Sequence, residues 1–403
     1  MDRRTLLMFA AATALGGGQR AFAAAEAPGV TKTEIKIGNT SPYSGPASAF
    51  GVVGLALSAF FRQVNDNGGI AGRKINFISL DDAYSPPKTV EQTRRLVESD
   101  EVAFILNGIG SAPQSSVQRY MNQHKVPQLF VGAGVDKWSQ PDAFPWSIGW
   151  QPTFRTEAEI YAKYIDSVRP NARVAMLHST DDAGKDYVAG LRSVWRGDME
   201  KKIVKMATYE TNDPTVESQI VALQASGADV LVITATPKYV AQSIRKVYEL
   251  NWKPLTLITN TSISVAAVIN PVGPEKAVGI VSTGYLKDNA DPAWNDDPGM
   301  NEWRRFMKQY MPGADLGDSN YIFAYSVAGT ALHVLKQCDG DFSRENIMRQ
   351  ATNIRDLALP GLLPGVLINT EPTNFRPVRQ MQLQRWSGTR WERFGGLIEG
   401  SGL

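Results

Sequence analysis

One cysteine and three histidines among 403 residues leave little material for thiol or metal chemistry. Cys338 has no partner for an intrachain disulfide, and a lone thiol of this kind is expected to fill a small apolar space near a helix end. His124, His178 and His333 lie far apart, with neither H-E-x-x-H spacing nor paired cysteine ligands, so no metal site is expected. There is no G-x-S-x-G elbow and no glycine loop closing in Lys-Ser/Thr. His178-Ser179-Thr180-Asp181 gathers three hydrolase-type residues, but sequence neighbours rarely converge as a triad, and the run reads as a strand-end loop. The chain is expected to be no enzyme and to need no cofactor.

Charge of one sign is also missing. The 42 basic residues nearly balance the 40 acidic ones, and no basic run stands out, which argues against nucleic acid or an anionic membrane as partner. No stretch is long and apolar enough for a membrane helix. The first 23 residues read as an export signal. Arg3-Arg4 is its charged start, Leu6 to Leu15 its apolar centre, and Ala21-Phe22-Ala23 its cleavage site. The general secretory and twin-arginine routes both fit. No cysteine follows the cleavage site, so a soluble, monomeric periplasmic protein of about 380 residues is expected, enough for two domains. Without Asp2, Arg3, Arg4 and Arg20 the formal charge falls from +2 to 0.

Against these absences stands one dense run, Ile35 to Thr89. A short alternating strand at Ile35 and Ile37 ends in Ser41-Pro42-Tyr43-Ser44-Gly45-Pro46. A helix with an apolar face follows from about Gly51 to Val64 and stops at Gly68-Gly69. A second strand, Ile75 to Leu80, runs into Asp81-Asp82-Ala83-Tyr84-Ser85-Pro86. Strand, helix, strand implies parallel pairing with a right-handed crossover. Open α/β sheets place ligands at the C-terminal ends of such strands. The alternation continues, with strands expected at 102–106, 128–131, 173–177, 203–208, 230–234, 255–258 and 280–282. Helices are expected at 114–123, 157–167, 300–310, 321–337 and 344–352, and a closing antiparallel strand at 379–386. The fold class is therefore α/β, with two doubly wound domains.

The order Ser44-Gly45-Pro46, Gly51, Asn67-Gly68-Gly69-Ile70-Ala71-Gly72-Arg73, Asp81-Asp82 resembles the periplasmic solute-binding proteins of branched-chain amino acid ABC importers. Lys125-Val126-Pro127, the 161–165 helix, Asp181 to Asp186 and the 380–386 strand extend the resemblance over roughly 350 residues. It implies a type I periplasmic binding fold, whose two domains exchange chain at three crossings near 149–153, 283–287 and 360–367. Domain 1 would hold 30–150 and 286–362, and domain 2 would hold 151–285 and 363–403. It also implies a small-molecule ligand caught by hinge closure, and separate permease and ATPase subunits as partners. A sensory binding protein of the same fold is the alternative, and an exported hydrolase a weaker third.

The resemblance also marks candidate contacts. Gly110, Ser111 and Ala112 lie between a strand and a helix, where free backbone N–H groups favour a carboxylate; the competing reading of Ser111 is a plain N-cap. Ala133, Gly134, Val135 and Asp136 form the second loop. There Asp136 replaces a threonine, and its competing reading is a turn residue paired with Lys137. Phe50 matches an aromatic cover. In the second half Ala183, Thr236, Asn260 and Thr261 fall at family contact positions, but Thr261 stands where amino acid binders carry the acid that neutralises the ammonium, so that Asp136 or Asp182 would have to substitute for it. Tyr84, Trp150 and Phe154 are aromatics placed to stack on a planar ligand. An unneutralised ammonium in a closed cleft costs several kcal/mol, so aromatic or short aliphatic acids are expected ahead of branched-chain amino acids.

Overall fold

A computed structural model describes residues 27–400; the expected export signal lies outside them. Five strands form the first sheet: β1 (Glu34–Ser41), β2 (Lys74–Asp81), β3 (Phe104–Leu106), β4 (Gln128–Val131) and β5 (Ser147–Gly149). They are all parallel, in the order β2-β1-β3-β4-β5. Seven strands form the second: β6 (Val174–Ser179), β7 (Ile203–Tyr209), β8 (Val230–Thr234), β9 (Leu255–Ile258), β10 (Val281–Gly284), β11 (Gln380–Trp386) and β12 (Trp391–Glu399), in the order β12-β11-β10-β9-β8-β6-β7. β10, β11 and β12 pair antiparallel. The strand expected over 102–106 is shorter, because Val102 and Ala103 approach the sheet as buried loop. β5 and β12 were not expected. β5 is only three residues long, and β12 carries glycine at 395 and 396, which blurs a strand pattern.

Helix α1 (Val52–Asp66) forms because Val53, Ala56, Leu57, Phe60, Phe61 and Val64 recur at helical spacing and are all buried. Much later in the chain, Phe306 and Tyr325 bring two helices, Pro298–Tyr310 and Ser319–Gln337, back onto that face. Their rings lie 6.1 and 5.2 Å from Phe60. Cys338 caps the longer helix, 2% exposed, where burial pushes its thiol up to about 12. Helix α2 (Pro86–Arg94) had no apolar stripe to announce it; its start is Pro86-Pro87 after the extended Ser85. Helices α3 (Ser111–Gln123), α4 (Phe154–Val168) and α5 (Asp182–Trp195) complete the frame around the site. The chain stretches near two of the three expected crossings lie side by side. Leu286 bridges Leu362 antiparallel, Lys287 N–H donates to Gly361 O, and Leu363 N–H donates to Tyr285 O.

The two sheets meet across an ionic belt. Asp182 on α5 accepts hydrogen bonds from Lys137 and from Ser115 on α3, both at 3.0 Å. Asp136 N–H donates to Asp186 at 2.7 Å, and the Asp136 carboxylate lies 3.7 Å from Arg155. Burial would raise Asp182, but Lys137, Ser115 and Lys185 outweigh it and hold its carboxyl low. Asp186 has no such cation in contact. Burial, with Asp136 and Asp182 nearby, pushes it up to about 7 against the pull of Arg155. On the other flank Ser264 donates to Asp318 at 2.9 Å and Ala266 N–H to Gly317 O at 3.2 Å.

A carboxyl raised in the folded protein contributes stability below its unfolded value near 3.8 and loses it as pH climbs through 7. Asp186→Asn keeps an acceptor for the Asp136 N–H and removes the charge. Thermal unfolding should find this variant more stable at pH 8, by about 2–4 °C for each kcal/mol relieved, with the gain gone by pH 4. A gain independent of pH would place the strain elsewhere.

Candidate ligand-binding site

The C-terminal ends of both sheets face one cavity of about 120 Å³. On the first-sheet side, the loop after β2 is bent into the left-handed region at Ala83 (φ 52°) and Tyr84 (φ 57°). Non-glycine residues rarely accept that geometry, and Asp82 enforces it: fully buried, it takes the Tyr84 N–H and the Thr89 hydroxyl, both at 3.0 Å. The turn lays the Tyr84 ring against Gly110, where a Cβ would sit 2.4 Å from the ring, so only glycine fits. Asn107 donates to Phe130 O at 2.6 Å, and Asn39 donates to Leu106 O at 2.8 Å, which ties the ends of β1, β3 and β4 together.

Ser111 is the first residue of α3 and 4% exposed. Its side chain makes no capping bond. The N-cap is Gly110, so the plain-cap reading of Ser111 does not hold. The Ser111 N–H meets the Tyr84 hydroxyl, Pro113 has no N–H and the Gln114 N–H donates to Gly110 O, so the start of α3 offers the cavity the Ser111 hydroxyl within the positive field of a helix N-terminus, a setting that favours an anion.

The second-sheet side is organised below the cavity floor by Glu157, which is 0% exposed. One carboxylate oxygen accepts from the Tyr161 hydroxyl, the Thr283 hydroxyl and the Asn260 N–H; the other accepts from the Tyr187 hydroxyl and the Asn260 side-chain amide. Burial raises this carboxyl while the hydrogen bonds pull it back, and burial lifts both tyrosines well above their ordinary range, so they remain donors. Phe154 stacks on Tyr187 with centroids 5.1 Å apart. At the start of α5, Asp181 caps the N–H groups of Ala183 and Gly184. Gly184 is confined by Ser179 O, 1.8 Å from where a Cβ would stand.

Of the residues singled out from the sequence, Phe50, Tyr84, Gly110, Ser111, Ala133, Phe154, Ala183, Thr236, Asn260 and Thr261 line this cavity. Ala112, Gly134, Val135, Asp136, Trp150 and Asp182 do not. Asp136 and Asp182 belong to the ionic belt, and Asp136 pairs with Arg155 where Lys137 had been expected. Gly134 is turned away, its carbonyl taking the Phe154 N–H at 2.6 Å. Trp150 is core: fully buried, it donates to Thr330 at 2.9 Å and meets Phe323 edge-on at 5.3 Å.

Sequence reading missed Gln151, Tyr187, Tyr209, Lys287, Asp288, Asn320, Phe323 and Gln384, all of which line the cavity. Only Tyr187 carried a signal, one helical turn beyond Ala183. Among the described residues the one lining cation is Lys287, and it is spent on both oxygens of Asp297 at 2.9 Å. Among the described residues there is no cluster of metal-type ligands, and no helix is long and apolar enough to cross a membrane.

The chain is 23% identical over 329 residues to a Leu/Ile/Val-binding protein homolog from Brucella abortus (strain 2308), covering 76% of this chain and 78% of that one. It is similar in structure to a branched-chain amino acid ABC transporter protein from Thermus thermophilus with bound valine: TM-score 0.81, 15% identity, 92% of this chain and 98% of that one. A solute-binding protein from R. palustris in complex with 4-hydroxybenzoate gives a TM-score of 0.76 at 15% identity, with coverages of 92% and 98%. The fold is that of type I periplasmic binding proteins, two α/β domains with parallel sheets. The family model for periplasmic binding proteins matches residues 34–390, and the chain belongs to that family.

Proposed function

We propose that this protein is the solute-capturing component of an ABC importer. It is exported to the periplasm and closes as a monomer over a small carboxylate-bearing ligand, which it hands to a permease served by separate ATPase subunits. Residues 30–150 with 286–362 would move as one body and 151–285 with 363–403 as the other, about the paired stretches at 285–287 and 361–363. The observation that carries this reading is the Ser111 hydroxyl at the start of α3, facing a cavity between two sheets. The site holds no unpaired lysine or arginine among the described residues, so a carboxylate would be held by neutral dipoles and the helix field.

Aromatic or short aliphatic acids fit better than branched-chain amino acids. Thr261 offers a hydroxyl bonded to Thr259 and no negative charge, and Asp136 is committed to Arg155. Of the two carboxylates that line the cavity, Asp181 caps α5, and burial pushes Asp288 towards its neutral form. An ammonium stripped of water would therefore have to compete with the cap of α5 for Asp181, or hold Asp288 ionised against its burial.

A thermal-shift screen of carbon- and nitrogen-source acids, followed by calorimetry, tests this; a ligand at a hundred times its Kd adds about 2.7 kcal/mol of stability. Some non-amino carboxylate should bind far more tightly than leucine, isoleucine, valine or phenylalanine. Micromolar leucine binding that disappears in Asp288→Asn would overturn the ligand class. Ser111→Ala should cost about 1.5–3 kcal/mol of affinity, the value of a hydrogen bond to a charged group. Because Ser111 makes no cap bond, the melting temperature without ligand should stay close to the parent's.

A further inference from the structure

Among the described residues four side-chain amides line the cavity: Gln151, Asn260, Asn320 and Gln384. Three are occupied. Asn260 donates to Glu157, Asn320 to Asp318 and Gln384 to Thr283 O. Gln151 is 7% exposed, its Nε2 is buried without a partner, and its Oε1 takes part in no hydrogen bond among the described residues. Buried amides are nearly always satisfied, so an idle one beside a cavity is an exception that calls for a partner.

The idle amide is not a loose end. Trp150 before it is fixed by Thr330, Phe323 and Tyr285. After it, the Pro152 carbonyl abuts Gly134, and Phe154 N–H donates to Gly134 O. The backbone thus holds Gln151 from both sides, two residues past the end of β5. Ser111 emerges from the loop after β3, and β4 runs between them. Two strand spacings separate the two anchors at the backbone, roughly 9–10 Å. The surfaces around them are largely apolar: Phe50, Tyr84, Ile109, Ala133 and Phe154.

We propose that Gln151 is a specificity-determining residue whose free amide receives a neutral hydrogen-bonding group, a hydroxyl or a primary amide, at the end of the ligand opposite its carboxylate. The proposal rests on the reading of Ser111 and α3 as the carboxylate end. A side-chain amide both donates and accepts, which matches groups that do the same. The ligand class is then a small acid with an apolar or planar middle and a polar far end. An acid lacking that end leaves the amide unpaired and binds more weakly.

Calorimetry on matched probes decides it: benzoate against 4-hydroxybenzoate, and butyrate against succinamate, each with the parent protein, Gln151→Met and Gln151→Leu. Two replacements of different shape guard against one that does not fold, and thermal unfolding checks both. The parent should prefer a functionalised acid to its plain partner by tenfold or more, and both variants should lose that preference through weaker binding of the functionalised member. Equal weakening of both members, or a preference that survives in both variants, would overturn the role of Gln151. Phenol and hexanamide form a third arm. If they bind in a Gln151-dependent way while the acids gain nothing from their carboxylate, the carboxylate reading fails and the Gln151 subsite stands. If no probe of any arm binds, both fail.

Discussion

The Glu157 carboxylate holds together parts of the second sheet that are far apart in sequence. It sits in the first turn of α4, just after the chain has left β5, and gathers Tyr161 from its own helix, Tyr187 from α5, Asn260 from the end of β9 and Thr283 from β10. A buried carboxylate left unpaired is costly, so these partners are held as a set: removing one strands the charge and loosens the others. Tyr187 and Asn260 line the cavity and Thr283 precedes the lining Gly284, so the shape of one wall depends on this interaction.

The opposite wall is built from backbone. Left-handed turns at Ala83, Tyr84, Asn107 and Phe130 are stored at strand ends and locked by Asp82, Asn39 and Asn107. One domain thus offers the Ser111 hydroxyl and aromatic surface, while the other offers hydroxyls held in place from below. Asp136, Lys137, Arg155, Asp182 and Asp186 form a separate ionic belt beyond the cavity lining. Cationic and anionic groups of this belt join the two halves.

Much of the frame was legible in the sequence. β4, β8 and β9 fall at the expected residues because each is a short buried apolar run bounded by turn residues. The apolar stripe of α1 and the helices returning at 298–337 were readable for the same reason. The cavity lining was legible mainly where a loop follows a strand, as at Gly110-Ser111, Ala133 and Asn260-Thr261. Gln151 and Asn320 became visible only when distant segments converged, and nothing local marks them. Trp150 and Phe154, four residues apart and both aromatic, went opposite ways: tertiary packing sent one into the core and the other to the cavity.

Amide hydrogen exchange on Glu157→Gln tests the central dependence most directly. The substitution keeps the volume but replaces one acceptor oxygen with a donor that faces hydroxyl and amide donors. Exchange should accelerate together at Thr259–Ser262, Thr283–Tyr285 and around Tyr187, while the loops at 107–112 and 130–134 in the other sheet keep the parent's protection. If protection is lost only beside residue 157, or equally in both sheets, Glu157 is not what shapes the second wall.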